Sequence, residues 1–181
     1  MTVTDDDPVV LVDADDVEIG TAGKLDAHRR GLRHRAISAL VHNSKGEFLL
    51  QRRAASKYHS GGLWTNACCS HPFPGESTAE AAHRRLQQEM GVTCALEPLF
   101  LFSYRAAVPG GLIEDEVVHV FGGTHDGPVE PDPAEVDGYK WIALPDLRAD
   151  IRARPDVYTV WFRHYVAERG DTIAEWIGKS R

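Results

Sequence analysis

No apolar run in this sequence is long enough to cross a bilayer. Its first eight residues, Met1-Thr2-Val3-Thr4-Asp5-Asp6-Asp7-Pro8, are acidic and carry no apolar segment. Neither a membrane span nor a secretory leader is expected from such a start, and the cytoplasm is the default compartment. Cysteine is scarce, limited to Cys68, Cys69 and Cys94. An odd number with two neighbours adjacent makes a poor disulfide framework, so free thiols in a reducing compartment are expected. There is no C-x₂-C spacing, which removes the usual closed structural zinc site. Net positive charge is also missing: the formal charge is −7, which argues against a nucleic-acid surface. Internal repeats and low-complexity tracts are absent as well.

What is present fits one soluble domain. The 181 residues are 43% hydrophobic and 26% charged, enough for a sizeable single core. We read residues 1–181 as one domain with residues 1–8 as a flexible tail. Strands are expected at 9–12 and 36–42. Asn43-Ser44-Lys45-Gly46 is a hairpin turn, with 47–53 as the partner strand and 63–69 as a further strand. Ser77 and Glu80 form a capping box for a helix that runs to Met90, where Gly91 is a natural stop. The apolar stripe of that helix is Ala79, Ala82, Leu86 and Met90. Strands follow at 94–107 and 114–122 around the turn Pro109-Gly110-Gly111. After a loop at 124–133 come a strand at 138–143, with Trp141 aimed at the core, and helices at 144–153, 157–169 and 172–179. Hairpins, one central helix and a helical tail define an α+β domain.

Two short stretches carry the chemistry. Trp64-Thr65-Asn66-Ala67-Cys68-Cys69-Ser70-His71-Pro72 sets a thiol beside an imidazole. Glu114-Asp115-Glu116 sets two carboxylates at i and i+2, on one face of a strand. With His28 and His34 from a polar stretch upstream, three imidazoles and two carboxylates can surround one ion. That donor set suits a divalent ion of borderline hardness, such as Mn, Fe or Zn, above four-coordination. His42, His59, His83, His119, His125 and His164 are given no such role. Arg52, Arg53 and Lys57, then Arg84 and Arg85, form local basic knots able to hold a small anion such as a diphosphate. Arg29, Arg30 and Arg33 read as solvated. Arg85 and Glu89, at i and i+4, make either a surface ion pair or, through Glu89, part of a magnesium site shared with substrate phosphates.

Residues 70–92 also match the Nudix box G-x₅-E-x₇-R-E-U-x-E-E-x-G-U, where U is aliphatic. Glu76, Arg84, Leu86, Glu89, Gly91 and Val92 keep the pattern. Ser70 replaces its first Gly, and Arg85 and Gln88 replace two of its glutamates. Losing two carboxylates disfavours the water activation of a Nudix hydrolase, so fold kinship is retained without that chemistry.

Further motifs narrow the resemblance. These are Gly23-Lys24 with His28; Arg52-Arg53-Ala54 with Ser56-Lys57; Trp64-Thr65-Asn66 with Cys69-Ser70-His71-Pro72; Tyr104-Arg105-Ala106; Glu114-Asp115-Glu116-Val117; and Trp161. Over residues 10–161 the chain resembles the type I isopentenyl diphosphate isomerases. That resemblance implies Nudix-like mixed and antiparallel sheets with a central helix and C-terminal helices. It also implies metal-dependent conversion of isopentenyl diphosphate to dimethylallyl diphosphate in isoprenoid biosynthesis. By position, Cys69 and Glu116 take the roles of the catalytic thiol and carboxylate, with Tyr104 tuning Glu116. His28, His34, His71, Glu114 and Glu116 take the metal site, loaded with Mn²⁺, Zn²⁺ or Mg²⁺. Glu89 and the Cys69 backbone carbonyl take a substrate-bound Mg²⁺. Lys24, Arg53, Lys57 and Arg85 take the diphosphate. Trp161 either faces a carbocation or simply packs the helical tail, and Trp64 reads as core. The family usually has Gly where Ser70 stands. The implied partner is a small prenyl diphosphate, without nucleic acid or membrane. The sequence does not set the oligomeric state; of the possible states, a monomer is favoured. Two rivals stay open: a Nudix-type diphosphate hydrolase and a non-catalytic metal-stabilised binding module.

Overall fold

A computed structural model describes residues 7–179. Local signals set its clearest helix, α2 (Thr78–Met90). Ser77 Oγ accepts the Glu80 N–H while Glu80 reaches back to the Ser77 N–H, and Gly91 ends the helix in the left-handed conformation. Its buried stripe is Ala81, Ala82, Leu86 and Met90; Ala79, expected on that stripe, is exposed.

The strands are β1 (Pro8–Val12), β2 (Glu18–Gly23), β3 (His34–His42), β4 (Glu47–Arg53), β5 (Trp64–Asn66), β6 (Cys68–Ser70), β7 (Leu96–Val108), β8 (Leu112–Thr124) and β9 (Val136–Ala143). The helices besides α2 are α1 (Lys24–Arg30), α3 (Leu144–Ala153), α4 (Val160–Glu168) and α5 (Gly170–Lys179). The sheet is mixed. β3 runs parallel to β8, from His34 opposite Glu116 to His42 opposite Thr124. β7 pairs antiparallel with β8, and β9 with β4.

Period-2 alternation gives β3 two apolar faces. Ile37, Ala39 and Val41 pack toward α2 with Leu86 and Met90. Ala36 and Leu40 pack the other way, with Phe162, Tyr165 and Ile173 of the C-terminal helices. Helices therefore cover both faces of the sheet. Among the described residues no helix is long and apolar enough to cross a membrane.

Four expectations change. The 36–53 hairpin has its turn, but β3 and β4 pair only at His42–Phe48 and then splay apart. The single strand expected at 63–69 is two: β5 pairs with β4 and β6 with β3, filling the splay. Side chains replace the ladder where it breaks. Asn66 Nδ2 donates to Ala39 O at 3.0 Å and Cys68 O at 2.8 Å, and Gln51 Nε2 donates to Ala67 O at 2.8 Å. The helix expected at 157–169 starts late. Tyr158 bridges to Trp64 and Thr159 N–H donates to Trp64 O, which holds both residues extended until Val160. Of the expected tail, residues 1–6 lie outside the described residues, and Pro8 pairs with Gly23 in the β1–β2 ladder.

Candidate active site

The sequence does not announce α1, seven residues between Gly23 and Gly31. Gly31 is required there: its φ is +61°, and a Cβ would lie 2.9 Å from Arg105 Nη2. This short helix carries Lys24 and His28. His28 Nδ1–H donates to Lys24 O at 2.6 Å, and His34 Nδ1–H donates to Leu32 O at 2.8 Å. Both rings are thereby oriented with Nε2 facing inward.

Glu116 lies opposite His34 on β3 and opposite Tyr104 on β7. Its Oε1 is 3.0 Å from His71 Nε2, and its Oε2 accepts the Tyr104 hydroxyl at 2.8 Å. Glu114 Oε2 is 3.1 Å from His28 Nε2. His34 Nε2 and His71 Nε2 face one another at 3.2 Å. The ligand atoms of His28, His34, His71 and Glu116 all lie within 4.8 Å of one another, as do those of His28, His59 and Glu114. Converging imidazole nitrogens beside two buried carboxylates call for a cation, so the residues fit a divalent ion.

The state of His71 agrees with that fit. Burial above all, with His34 and His28 beside it, pushes His71 down to about 4, leaving the neutral imidazole that metal binding needs. Burial alone would raise both carboxyls. Hydrogen bonds to His28 and His59 overcome it at Glu114, and those to His34 and His71 overcome it at Glu116, so both stay below the usual carboxylate range. Burial and the two glutamates push the Tyr104 hydroxyl well up.

The thiol comes from β6, whose Cys69 pairs with Ser38 on β3. Cys69 Sγ–H donates to Asn66 Oδ1 at 3.1 Å, and Ser38 Oγ lies 3.2 Å from the sulfur. Burial pushes Cys69 up to about 12, so it is a thiol and not a thiolate at neutral pH. Cys68 is fully buried in the opposite core, and all three cysteines are free.

Cys69 and Glu116 line one cavity of about 240 Å³, together with Tyr104, Glu114, His71, Trp161 and Tyr165. That is below the roughly 300–1,000 Å³ of drug-sized sites and suits a small ligand. Lys24, Arg53, Lys57, Arg85, Glu89 and Glu135 line it too. Arg53 and Arg85 are buried, yet each keeps an Nε–H with no partner. Lys57 is pushed down to about 8, chiefly by burial and then by Arg53, Arg85 and Lys24. Buried cations with unspent donors fit an anion. Arg85 is no surface pair partner. It bonds Glu89 at 2.6 Å and Glu135 at 3.3 Å, both inside. Trp161 Nε1–H donates to Thr65 Oγ1 at 3.0 Å, and Arg53 stacks 5.4 Å from the ring centroid. Trp64 is half-buried against the core with Lys140 over its ring, and it does not line the cavity.

His59 and Glu135 are among the cavity residues that escaped the sequence reading. His59, set aside there, lies 3.0 Å from Glu114. Glu135 pairs with both Lys57 and Arg85. Neither sits in a pattern that marks it: one is in a loop after a basic run, the other in Asp132-Pro133-Ala134-Glu135.

Sheet, buried helix and cavity together define a Nudix-fold protein, and the family model described as NUDIX domain matches residues 32–162. Solved structures share the fold. A Deinococcus radiodurans protein superposes with a TM-score of 0.69 at 24% identity, over 81% of this chain and 90% of that one. The MutT protein from Methanosarcina mazei gives 0.62 at 21%, over 82% and 96%. Among curated proteins, the chain is 54% identical to isopentenyl-diphosphate Delta-isomerase 2 of Aromatoleum aromaticum, over 86% of this chain and 82% of that protein. It is 52% identical to isopentenyl-diphosphate Delta-isomerase 2 of Photorhabdus laumondii, over 94% and 97%. The chain belongs to the isopentenyl-diphosphate Delta-isomerase family within the Nudix fold.

Proposed function

We propose that this chain converts isopentenyl diphosphate to dimethylallyl diphosphate in isoprenoid biosynthesis, moving the double bond by protonation and deprotonation. One observation carries the reading: an un-ionised thiol and an ionised carboxylate line a single small cavity that also holds four cationic side chains.

The reaction adds a proton to the terminal alkene carbon and removes one from the carbon next to the diphosphate-bearing carbon. A tertiary carbocation, or nearly one, lies between. Its needs are an acid and a base flanking a fixed hydrocarbon, with water excluded. Cys69, held as a thiol between Asn66 and Ser38, exchanges protons on one side. Glu116, bonded to the Tyr104 hydroxyl, does so on the other, and Tyr104 orients and tunes it. Trp161 presents its π face to developing positive charge. Lys24, Arg53, Lys57 and Arg85 bind the diphosphate, and that remote binding energy holds the five-carbon chain in register.

His28, His34, His71, Glu114 and Glu116 would hold a Mn²⁺, Zn²⁺ or Mg²⁺ ion, and Glu89 with the Cys69 backbone carbonyl a substrate-bound Mg²⁺. Such ions supply charge that fixes the carboxylate's orientation and acidity and neutralises the diphosphate. We read the enzyme as a monomer working in the cytoplasm, where its free thiols persist. A diphosphate hydrolase is the weaker reading, since Arg85 and Gln88 stand where the Nudix box has glutamates.

Proton NMR of isopentenyl diphosphate with the enzyme in D₂O and Mg²⁺ tests the reading. Deuterium appears in the methyl groups of dimethylallyl diphosphate, stops after exhaustive chelation and returns with added divalent ion. Release of phosphate without deuterium uptake supports the hydrolase instead.

A further inference from the structure

One imidazole in the cavity wall has no part in the chemistry above. His59 belongs to the irregular segment between β4 and β5, where side chains ordinarily face water, yet it is only 6% exposed. The segment is built to turn it inward. Arg53 N–H donates to Leu63 O at 3.0 Å and Gly62 N–H to Arg53 O at 2.9 Å, closing the neck. Ser60 takes φ +51°, a region non-glycine residues rarely adopt and that folds keep where the position matters. Gly61 leaves no room for a side chain, since a Cβ there would lie 2.7 Å from Ala55 O. The carbonyl of His59 accepts Arg53 Nη2 at 3.3 Å, and the ring meets Trp161 edge-on at 6.1 Å.

The two nitrogens of the ring have distinct neighbours. Nδ1 lies 3.2 Å from Ser60 Oγ, and Nε2 lies 3.0 Å from Glu114 Oε1. Glu114 is acceptor-only when ionised, so Nε2 carries the hydrogen, and the Ser60 hydroxyl donates to Nδ1. The other Glu114 oxygen, Oε2, faces His28 Nε2 at 3.1 Å. This carboxylate is thus split between an imidazole inside the five-residue ion set and one outside it.

We propose that His59 is a positioning residue of the metal centre: its Nε2–H holds Glu114 Oε1, so that Glu114 offers Oε2 alone, beside His28, to the ion. The proposal rests on the metal reading given above. Hydrogen-bond partners of ligating groups fix ligand orientation, and their loss costs about 10–100-fold in metal affinity. Through its carbonyl contact with Arg53, the same residue ties the ion-binding wall to the diphosphate-binding wall.

Equilibrium dialysis with Mn²⁺, paired with visible absorption of the Co²⁺-loaded protein, tests it. His59→Phe weakens Mn²⁺ binding about 10–100-fold. His59→Gln, whose amide nitrogen can donate from near the same place, recovers most of that loss and keeps the Co²⁺ band intensity of the unmodified protein. If His59→Phe does not fold, His59→Asn, too short to reach Oε1, takes its place. Mn²⁺ binding unchanged in the Phe or Asn variant overturns the proposal alone. So does a Co²⁺ spectrum of His59→Gln that shows a lost inner ligand. An unmodified chain that takes up none of Mn²⁺, Zn²⁺ and Mg²⁺ overturns the metal reading and this proposal together.

Discussion

The two walls of the cavity are built on opposite plans. The wall of imidazoles and carboxylates stands largely on regular structure, with His34 on β3, Glu114 and Glu116 on β8 and Tyr104 on β7. Its groups satisfy each other: His28 with Glu114, His71 with Glu116, Tyr104 with Glu116. The cationic wall draws on a short helix, a strand end, a loop and a long helix, and two of its guanidinium groups keep unpartnered Nε–H groups. A network that satisfies itself is rigid and aims atoms. Buried donors left unspent cost stability, and binding of an anion recovers it. Under the proposed function, one wall places protons and the other grips charge.

The sharpest way to break this contrast is to substitute the proton-handling pair. Cys69→Ala and Glu116→Gln each lower turnover by at least about 10²–10⁴-fold, while calorimetry still detects diphosphate binding. Wild-type turnover in Cys69→Ala would end the assignment. A smaller effect is expected from the other wall. Arg53→Ala removes a charged, incompletely paired donor worth about 1.5–3 kcal/mol. KM should therefore rise roughly 10–150-fold with kcat much less affected; an equal fall in kcat and kcat/KM would erase the division between walls.

The mildest test uses pH. Lys57, held down to about 8 by burial and by neighbouring cations, is charged below that value and neutral above it. Since the charged form attracts diphosphate, kcat/KM should fall as pH rises through about 8, reaching a tenfold loss per pH unit. Lys57→Arg should remove that limb, because a guanidinium stays protonated. A limb unchanged in Lys57→Arg assigns it to another group.

These walls were unequally visible in the sequence. The proton wall shows itself through local rules: Glu114 and Glu116 share a strand face by period 2, and Cys69 with His71 sits in one compact motif. The capping box of α2 is equally local, and it brings Arg85 and Glu89 inside together. What stayed hidden depends on contacts between distant segments. No sequence rule splits residues 63–69 at Ala67; the split follows from Asn66 and Gln51 bonding the backbone of other strands. His59 looked like any loop histidine until the fold brought Glu114, more than fifty positions later, against it. The helix α1 has no side-chain cap and only seven residues, too few for periodicity to register.

The parallel pairing of β3 with β8 has an effect on how the molecule is made. Residues 34–42 leave the ribosome some eighty residues ahead of residues 112–124, whereas β7 and β8 can zip together as a neighbouring hairpin. His34 and Glu116 meet only when that long loop closes, a slow, entropy-limited event. No nascent fragment ending before β8 can therefore bring His34 and Glu116 together.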